Sequence, residues 1–263
     1  MSHLFEERLI PSISENNIIY NEHLIRYELA KQFANGKKVL DIATGSGYGA
    51  KILAEAGADE VIAADIDKKT LSQAAKSYFH QNIKYLNCGA EKIALGDKTI
   101  DLAVSLETIE HLPNQDLFLT ELRRVLKNDG LAIISTPNRE VSQNKNPFHV
   151  KELNKTEFLE VLNKYFNKVY LLEQTNGIAT VIAEQNKKTG QGLVSISNKI
   201  EPEYFIALCS QSELPAGLEK NLIISVNPKA LTVMRNNPIL KLSDKIYPYF
   251  KKYSKIFNFI IFK

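Results

Sequence analysis

The stretch Val39-Leu-Asp-Ile-Ala-Thr-Gly-Ser-Gly-Tyr-Gly49 joins a short apolar run to a turn with three alternating glycines. Helix-forming residues follow directly, so the pattern predicts a strand, a tight turn and a helix. Gly45, Gly47 and Gly49 carry no Cβ, which lets them adopt positive φ and lets a ligand lie against the backbone. We therefore expect a nucleoside-binding loop at the carboxyl end of the first strand.

Two aspartates narrow the kind of nucleoside. The glycine pattern alone also fits a loose dinucleotide-binding motif, Gly45-Ser-Gly-Tyr-Gly-Ala50. Asp41 ends the first strand, where a carboxylate would repel a pyrophosphate but attract an ammonium group, so it favours a cationic ligand. Asp65 ends the next apolar run, about where a ribose-binding carboxylate is expected, and it fits either cofactor.

Three further motifs follow in order, and together with the glycine loop they resemble those of class I S-adenosylmethionine-dependent methyltransferases. They are Asn87-Cys-Gly-Ala-Glu91, similar to the segment that frames the adenine; Ile100-Asp-Leu-Ala-Val-Ser-Leu-Glu-Thr-Ile-Glu-His111, similar to the fourth-strand motif; and residues 122–138, similar to the following helix, turn and fifth strand. The chain departs from the family pattern at Gly89, where many relatives have Asp, and at Asn128-Asp129, which replaces the commoner Pro-Gly. The resemblance covers roughly residues 5 to 175.

Within that family the chain resembles a bacterial and archaeal subgroup associated with glycans and other small metabolites. Its marks are Glu7-Arg-Leu-Ile-Pro11, Glu22-His-Leu-Ile-Arg-Tyr27, Glu107-Thr-Ile-Glu-His111 and Asn146-Pro-Phe-His-Val-Lys-Glu152. The resemblance implies S-adenosyl-L-methionine as the methyl donor. The donor-binding residues that it implies are Tyr20, Arg26, Asp41, Ala43, Gly45, Gly47, Tyr48, Gly49, Asp65, Ile66, Ala90, Glu91 and Leu106.

The order of the predicted elements indicates an α/β fold. Strands are expected near 37–42, 60–65, 83–87, 100–105, 130–136 and 169–172, and helices near 48–57, 68–79, 115–127 and 155–166. This alternation predicts a doubly wound, mostly parallel Rossmann-like sheet, to which the resemblance assigns seven strands. Ile178–Ala183 and Tyr204–Cys209 both qualify as the final strand, and the resemblance favours the second. The predicted organisation is an N-terminal helical cap (1–36), a methyltransferase domain (37–211) with an insertion (176–202), and a C-terminal extension (212–263).

The composition is typical of a soluble enzyme with a substantial core. The 263 residues are 44% hydrophobic and 24% charged, and the formal net charge is only +3. Such a small excess argues against nucleic acid as a partner and favours a small substrate. Cys88 and Cys209 lie in apolar contexts without metal-ligand spacing, so we expect two reduced thiols and no metal. The first residues do not read as a secretory signal, which favours a cytoplasmic protein.

The helix predicted over Glu22–Tyr27 is expected to fold over the donor. Leu24, Tyr27 and the pair Leu29-Ala30 are predicted to pack against the domain. Two interpretations of Arg26 stay open. It either pairs with the methionyl carboxylate of the donor or forms a surface salt bridge.

Catalysis of methyl transfer depends chiefly on position, but a hydroxyl acceptor must also lose its proton to a base. His149 is the preferred base because it lies in a loop after the fifth strand, where doubly wound sheets bind ligands. Glu107 and His111 are four residues apart, so a helical turn would bring them together as a base and its orienting partner. In the alternative, Glu110-His111 only braces the loop beneath the cofactor.

The final residues, 241–263, combine six lysines and one aspartate with dense aromatic side chains. This composition favours either peripheral contact with an anionic membrane or a packing element on the domain or on a second subunit of a homodimer.

The function predicted from the whole sequence is methyl transfer to a small-molecule or glycan acceptor, with oxygen the favoured atom. The alternatives are N-methyl transfer to a small molecule and donor binding without catalysis.

Overall fold

A computed structural model describes residues 18–142, 146–175, 179–183, 192–196, 201–216, 218 and 260–261 of the chain. For 18–19, 179–183, 192–196 and 260–261 it describes the backbone alone. The motif at Glu7–Pro11 and most of the predicted insertion and C-terminal extension lie outside these residues. The domain boundaries therefore stay predictions.

Helices and strands alternate along the described chain. The helices are α1 (Ile18–Ala30), α2 (Tyr48–Glu55), α3 (Lys68–Ser77), α4 (Gln115–Val125), α5 (Arg139–Ser142) and α6 (Lys155–Asn163), with 3₁₀ turns at Lys31–Phe33 and Ile109–His111. The strands are β1 (Lys38–Ile42), β2 (Glu60–Asp65), β3 (Ile83–Asn87), β4 (Ile100–Ser105), β5 (Leu126–Pro137), β6 (Lys168–Gln174), β7 (Ala179–Ala183), β8 (Gly192–Ile196), β9 (Tyr204–Ser210) and β10 (Ile260–Ile261).

Seven strands form one sheet in the order β3-β2-β1-β4-β5-β9-β6. Strands β1 to β5 pair in parallel, whereas β9 runs antiparallel to both β5 and β6. The predicted doubly wound, mostly parallel seven-stranded sheet is thus confirmed, including Tyr204–Cys209 as its closing strand. The competing segment supplies β7, which belongs to a separate three-stranded antiparallel sheet with β8 and β10.

Apolar side chains cover both faces of the main sheet, which is why its central strands are hydrophobic throughout. One face packs against α4 and α6 through buried residues such as Phe118, Leu122 and Phe158. The other face packs against α1 and α2 through Tyr27 and Leu53 among others. The fold is therefore a three-layer α/β/α arrangement with a core on each side of the sheet.

Strand ends and helix starts meet at one edge of the sheet, and they carry the strained backbone. Ala43, just after β1, has φ 60°, and Glu107, just after β4, has φ 50°. Non-glycine residues rarely adopt this region, and such strain concentrates at functional sites. Because β1 and β4 are neighbours from which the sheet extends in both directions, this edge is where doubly wound proteins bind ligands.

Within the part of the chain that the structure describes, no helix has the length and apolarity needed to cross a membrane.

Candidate active site

The three glycines of the loop after β1 have different surroundings. Gly45 (φ 56°) and Gly47 (φ 87°) are left-handed, as expected for the turn. A Cβ on Gly45 would meet nothing within 4 Å, whereas one on Gly47 would lie 2.8 Å from the Cβ of Ala74. A Cβ on Gly49 would lie 1.9 Å from Cζ of Tyr27. The Cβ sides of Gly47 and Gly49 therefore face α3 and α1, so both glycines also serve helix packing. The expectation that all three glycines leave backbone open to the ligand stays a prediction.

Asp65 links the end of β2 to this loop. Its Oδ2 accepts a hydrogen bond from the backbone N–H of Gly45 at 3.0 Å, and its Oδ1 accepts one from Asp67 N–H at 2.9 Å. The side chain is 5% exposed. The predicted ribose-binding carboxylate is thus fixed in position beside the one glycine that is open to a ligand.

Asp41 lies beneath the loop. Its carboxylate accepts hydrogen bonds from the Tyr27 hydroxyl at 3.1 Å and the Thr44 hydroxyl at 2.5 Å. Burial raises the pKa of Asp41 to about 6, and the two hydroxyl donors oppose that shift. The hydroxyls hold the carboxylate that the sequence predicts to attract the donor's ammonium group.

Four further residues predicted to bind the donor lie on the three loops that follow β2, β3 and β4. Ile66 follows β2 with its side chain 75% exposed, and its Cδ1 is 3.4 Å from where a Cβ on Gly89 would stand. Ala90 and Leu106 are buried. Glu91 accepts a hydrogen bond through Oε1 from the backbone N–H of Asn114 at 2.7 Å, so it also fixes the start of α4.

The helix α1 brings aromatic rings onto the glycine loop. The ring centroids of Tyr20 and Tyr48 are 5.5 Å apart, and those of Tyr27 and Tyr48 are 5.4 Å apart in an edge-on arrangement. Tyr27, Leu29 and Ala30 are buried, as the sequence predicts. Tyr27 also has a polar role that the packing pattern did not reveal, because it donates to Asp41.

Arg26 is buried, so its interpretation as a surface salt bridge is wrong. The side chain is 1% exposed, and Nε donates to Gln174 Oε1 at 2.7 Å. The guanidinium stands 4.1 Å from the ring centroid of Tyr204, a cation–π contact, and Nη1 lies 3.5 Å from Glu107 Oε1. Among the described residues, Nη1 and Nη2 have no hydrogen-bond partner. Two buried donors of a charged group are thus left for another acceptor.

Glu107 does not lie on a helical turn with His111. Its left-handed φ turns the chain away from β4, and the 3₁₀ helix begins only at Ile109. The backbone N–H of Glu107 donates to Ser135 Oγ at 3.0 Å, and that hydroxyl donates to Glu107 Oε1 at 2.6 Å. The predicted pairing of Glu107 and His111 on one α-helical face is therefore wrong, because the turn is tighter and starts later.

His111 and His149 meet across two loops. Their ring centroids are 4.7 Å apart with the planes at 82°. His149 Nδ1 contacts the carboxylate of Glu152, which is 1% exposed, and Nε2 lies 3.0 Å from the Asn146 amide nitrogen. His111 Nδ1 lies 3.1 Å from the carbonyl oxygen of Phe148. The structure thus gives His149 the orienting carboxylate that the sequence assigned to the other histidine.

Glu110 lies beneath the two imidazoles and is fully buried. Its Oε2 accepts a hydrogen bond from the Thr136 hydroxyl at 3.3 Å, and its backbone carbonyl accepts from Val150 and Lys151. Burial and, to a smaller degree, the Glu107 carboxylate raise the pKa of Glu110 well above its ordinary value. The backbone of Glu110 thus ties the His149 loop to the end of β4, and the predicted bracing role stays a prediction.

Sequence reasoning missed Gln174 and Tyr204, which hold Arg26, and Glu152, which holds His149. Tyr204 also donates to Glu22 Oε2 at 3.0 Å. No local pattern marks the first two, because they lie on β6 and β9, far from α1 in the chain. Glu152 did have a signal, since it stands three residues after His149 in a quoted motif. The two cysteines are free thiols, as predicted.

Comparisons with known proteins agree with this geometry. Residues 40–134 match the family described as methyltransferase domain. A "Probable S-adenosylmethionine-dependent methyltransferase" of Mycolicibacterium smegmatis is 32% identical over 195 residues, covering 72% of this chain and 74% of that protein. A ubiquinone biosynthesis O-methyltransferase of Cereibacter sphaeroides is 36% identical over 107 residues, covering 40% of this chain and 42% of that protein. The crystal structure of a Pyrococcus horikoshii protein has a TM-score of 0.55 and 23% identity, covering 80% and 99% of the two chains.

The fold and the glycine loop define a class I methyltransferase, and the similarity over most of both chains shows the family. The chain belongs to the S-adenosylmethionine-dependent methyltransferases. It is an enzyme whose cosubstrate is S-adenosyl-L-methionine.

Proposed function

We propose that the protein methylates an oxygen atom of a small-molecule or glycan acceptor, which binds between the glycine loop and the loop that carries His149. The observation that carries this proposal is the pairing of His149 with the buried carboxylate of Glu152. A base and its orienting carboxylate are what a hydroxyl acceptor requires, since a neutral amine acceptor needs less help to lose its proton.

The donor is held by groups on both sides of the glycine loop. Arg26 binds the methionyl carboxylate through Nη1 and Nη2, which have no hydrogen-bond partner among the described residues and form a fork that matches a carboxylate. Asp65 binds the ribose hydroxyls, and Ile66 packs against the adenine through its exposed side chain. Asp41 supplies negative charge beneath the ammonium group. The remaining predicted donor contacts are Tyr20, Ala43, Gly45, Gly47, Tyr48, Gly49, Ala90, Glu91 and Leu106.

The reaction is a single displacement. The acceptor oxygen attacks the methyl carbon in line with the C–S bond, whose electron pair stays on sulfur. The acceptor proton leaves to His149 Nε2, and Glu152 stabilises the resulting imidazolium. Oxygen is further supported by the ubiquinone biosynthesis O-methyltransferase among the relatives, although that similarity covers only 107 residues.

The test uses the full chain with methyl-labelled donor and a cell extract separated into small-molecule, glycan, protein and nucleic-acid fractions. We expect label in one small molecule or glycan as a methyl ether, identified by mass spectrometry. Label in the protein or nucleic-acid fraction contradicts the proposed acceptor, and an N-methyl product contradicts the oxygen assignment. Donor binding without any labelled product favours the non-catalytic alternative.

A variant then tests the base. His149→Gln should lower kcat by about 10²- to 10⁴-fold, the usual contribution of a general base, and leave donor affinity close to that of the wild type. His80→Gln is the matched control, because His80 lies after α3, where its ring accepts a hydrogen bond from the backbone of Asn82. A rise in acceptor KM without loss of kcat would assign His149 to positioning instead.

A further inference from the structure

Three ligand-type groups lie together at the ends of β4 and β5. One atom from each of Glu110, His111 and His149 stands within 4.8 Å of the other two. His111 Nε2 is 4.0 Å from Glu110 Oε1. Ligand atoms around an ion bound at about 2 Å are about 3–3.5 Å apart, so small side-chain rotations bring this set to coordination distance.

A second observation points to a ligand at the same place. Glu110 is fully buried, and its Oε1 has no hydrogen-bond partner among the described residues. A buried carboxylate oxygen that lacks a donor is costly unless something positive can approach it. This oxygen faces the imidazole of His111, so the position that lacks a hydrogen-bond donor lies inside the cluster rather than at its rim.

Both imidazoles are held in the orientation of metal ligands. The Nδ1 atom of each ring lies against an acceptor, the Phe148 carbonyl for His111 and the Glu152 carboxylate for His149. A proton on Nδ1 leaves the lone pair on Nε2, and metal-binding histidines are fixed in the same way by carboxylates and carbonyls. In the metal-bound form, His149 exchanges its contact with the Asn146 amide for the ion.

The backbone around the cluster is fixed before any ion binds. Val150 and Lys151 donate to the carbonyl oxygen of Glu110 at 2.8 and 3.0 Å. The Gln115 amide donates to the carbonyls of Ile109 and Lys151 at 3.0 and 2.9 Å. These four hydrogen bonds hold the two ligand-bearing loops together. Ion binding therefore has to order little additional backbone, which keeps its entropy cost small.

We infer that Glu110, His111 and His149 form a binding site for a first-row divalent transition ion such as Zn²⁺. Two imidazoles with one carboxylate suit these ions better than Mg²⁺ or Ca²⁺, which prefer oxygen ligands. Three protein ligands leave coordination positions open, as in catalytic sites. This inference differs from the sequence-based expectation of a protein without metal.

The role of the ion rests on the proposed function. An acceptor hydroxyl bound at an open position becomes more acidic, so its proton leaves to solvent and the ion stabilises the oxygen until it attacks the methyl carbon. With the ion bound, His149 is a ligand and the ion activates the hydroxyl. Without the ion, His149 is the base described under the proposed function. Removal of the ion by a chelator distinguishes the two roles, since a histidine base acts without metal.

The experiment measures metal uptake by the full chain. After treatment with a chelator, we expect one Zn²⁺ per chain by mass spectrometry of the metal. Glu110→Gln and His149→Gln should each lower Zn²⁺ affinity more than 100-fold, and Glu152→Gln should lower it by about 10- to 100-fold. His80→Gln should bind Zn²⁺ as the wild type does. Failure of the wild type to take up Zn²⁺, or equal affinity in all four variants, overturns the inference.

Two controls keep the result interpretable. If a variant does not fold, Co²⁺ titration of the wild type decides, because paramagnetic Co²⁺ must shift the ring resonances of His111 and His149 and spare those of His80. Calorimetry of the chelated chain measures donor binding separately. Donor binding without Zn²⁺ uptake overturns the metal site alone, whereas loss of donor binding concerns the proposed function.

Discussion

At the scale of single residues, the three glycines of the loop differ in what lies on their Cβ side. Gly45 is open on its Cβ side, Gly47 faces Ala74, and Gly49 faces Tyr27. The glycines are evenly spaced in the sequence, but the structural reason for glycine differs from one position to the next. Only Gly45 has open space on its Cβ side, so its replacement meets no steric obstacle within the protein.

Alanine substitution should destabilise the protein more at Gly47 than at Gly45. Both residues have positive φ, so each alanine costs about 1–2 kcal/mol of backbone strain. Gly47→Ala should cost a further ~1–3 kcal/mol, because its Cβ would lie 2.8 Å from that of Ala74. Urea denaturation without donor measures the difference. Equal stability of Gly45→Ala and Gly47→Ala would contradict this account.

Asp41 should make stability depend on pH. Burial raises its pKa from the ordinary 3.8 to about 6, so the unfolded chain releases this proton at lower pH than the folded one. The stability that Asp41 contributes is therefore complete below pH 3.8 and is lost as the pH rises through about 6. Two pKa units correspond to about 3 kcal/mol.

Asp41→Asn removes this titration and keeps the size of the side chain. We expect the free energy of unfolding of the variant, relative to the wild type, to increase by up to about 3 kcal/mol as the pH rises from about 4 to about 7. Urea denaturation across this pH range measures it. A difference that is constant with pH would show that Asp41 is not protonated at these values.

At the scale of elements, α1 and α2 are locked together at the Gly49–Tyr27 contact. Gly49→Ala places a Cβ 1.9 Å from Cζ of Tyr27, a distance that neither helix can accept without moving. Overpacking of this kind typically costs about 1–3 kcal/mol. The separation of α1 from the glycine loop is thus set by one missing methyl group.

A double-mutant cycle tests this contact. Tyr27→Leu removes the ring and should by itself destabilise the fold, because it also removes the hydroxyl that donates to Asp41. In the double variant the clash is relieved, so the combined loss should be smaller than the sum of the single losses by at least about 1 kcal/mol. Additive losses would place the effect of Gly49 elsewhere.

Sequence periodicity predicted the elements well and the turns between them poorly. The apolar run at Tyr204–Ser210 was recognisable as a strand, but Ile178–Ala183 fitted the same pattern, and only the resemblance assigned the first of these to the main sheet. The turn after β4 was not, because the pairing of Glu107 with His111 assumed α-helical spacing. The positive φ of Glu107 is held by its contacts with Ser135, 28 residues away, and no local pattern encodes such a contact.

At the scale of the whole molecule, the site draws on contacts that the sequence could not reveal. The glycines and Asp65 were predictable because strand, turn and helix are adjacent in the chain. Gln174 lies 148 residues from Arg26, and Tyr204 lies 182 residues from Glu22. The two histidines were recognised singly, but only the fold shows that they share Glu110.

The C-terminal residues lead to a separate prediction for the full chain. Residues 241–263 carry a net charge of +5 from six lysines and one aspartate, and almost all of them lie outside the described residues. If they bind anionic lipid, sedimentation with anionic vesicles should occur at low salt, weaken at high salt and disappear on deletion of 241–263. Absence of binding at low salt would favour the packing interpretation.

The contacts of Arg26 also have a consequence for synthesis, because Arg26 is proposed to bind the donor. Arg26 leaves the ribosome early, but Gln174 and Tyr204 leave it only near the end of the sheet-forming sequence. Strand β9 must then insert between β5 and β6 before the sheet is complete. A nascent chain in which the entire glycine loop has left the ribosome therefore still lacks the two residues that hold the Arg26 guanidinium in the folded protein. Under the proposed role of Arg26, translation must therefore pass β9 before the donor site is complete, and methyl-donor binding is then a late event in the life of each chain.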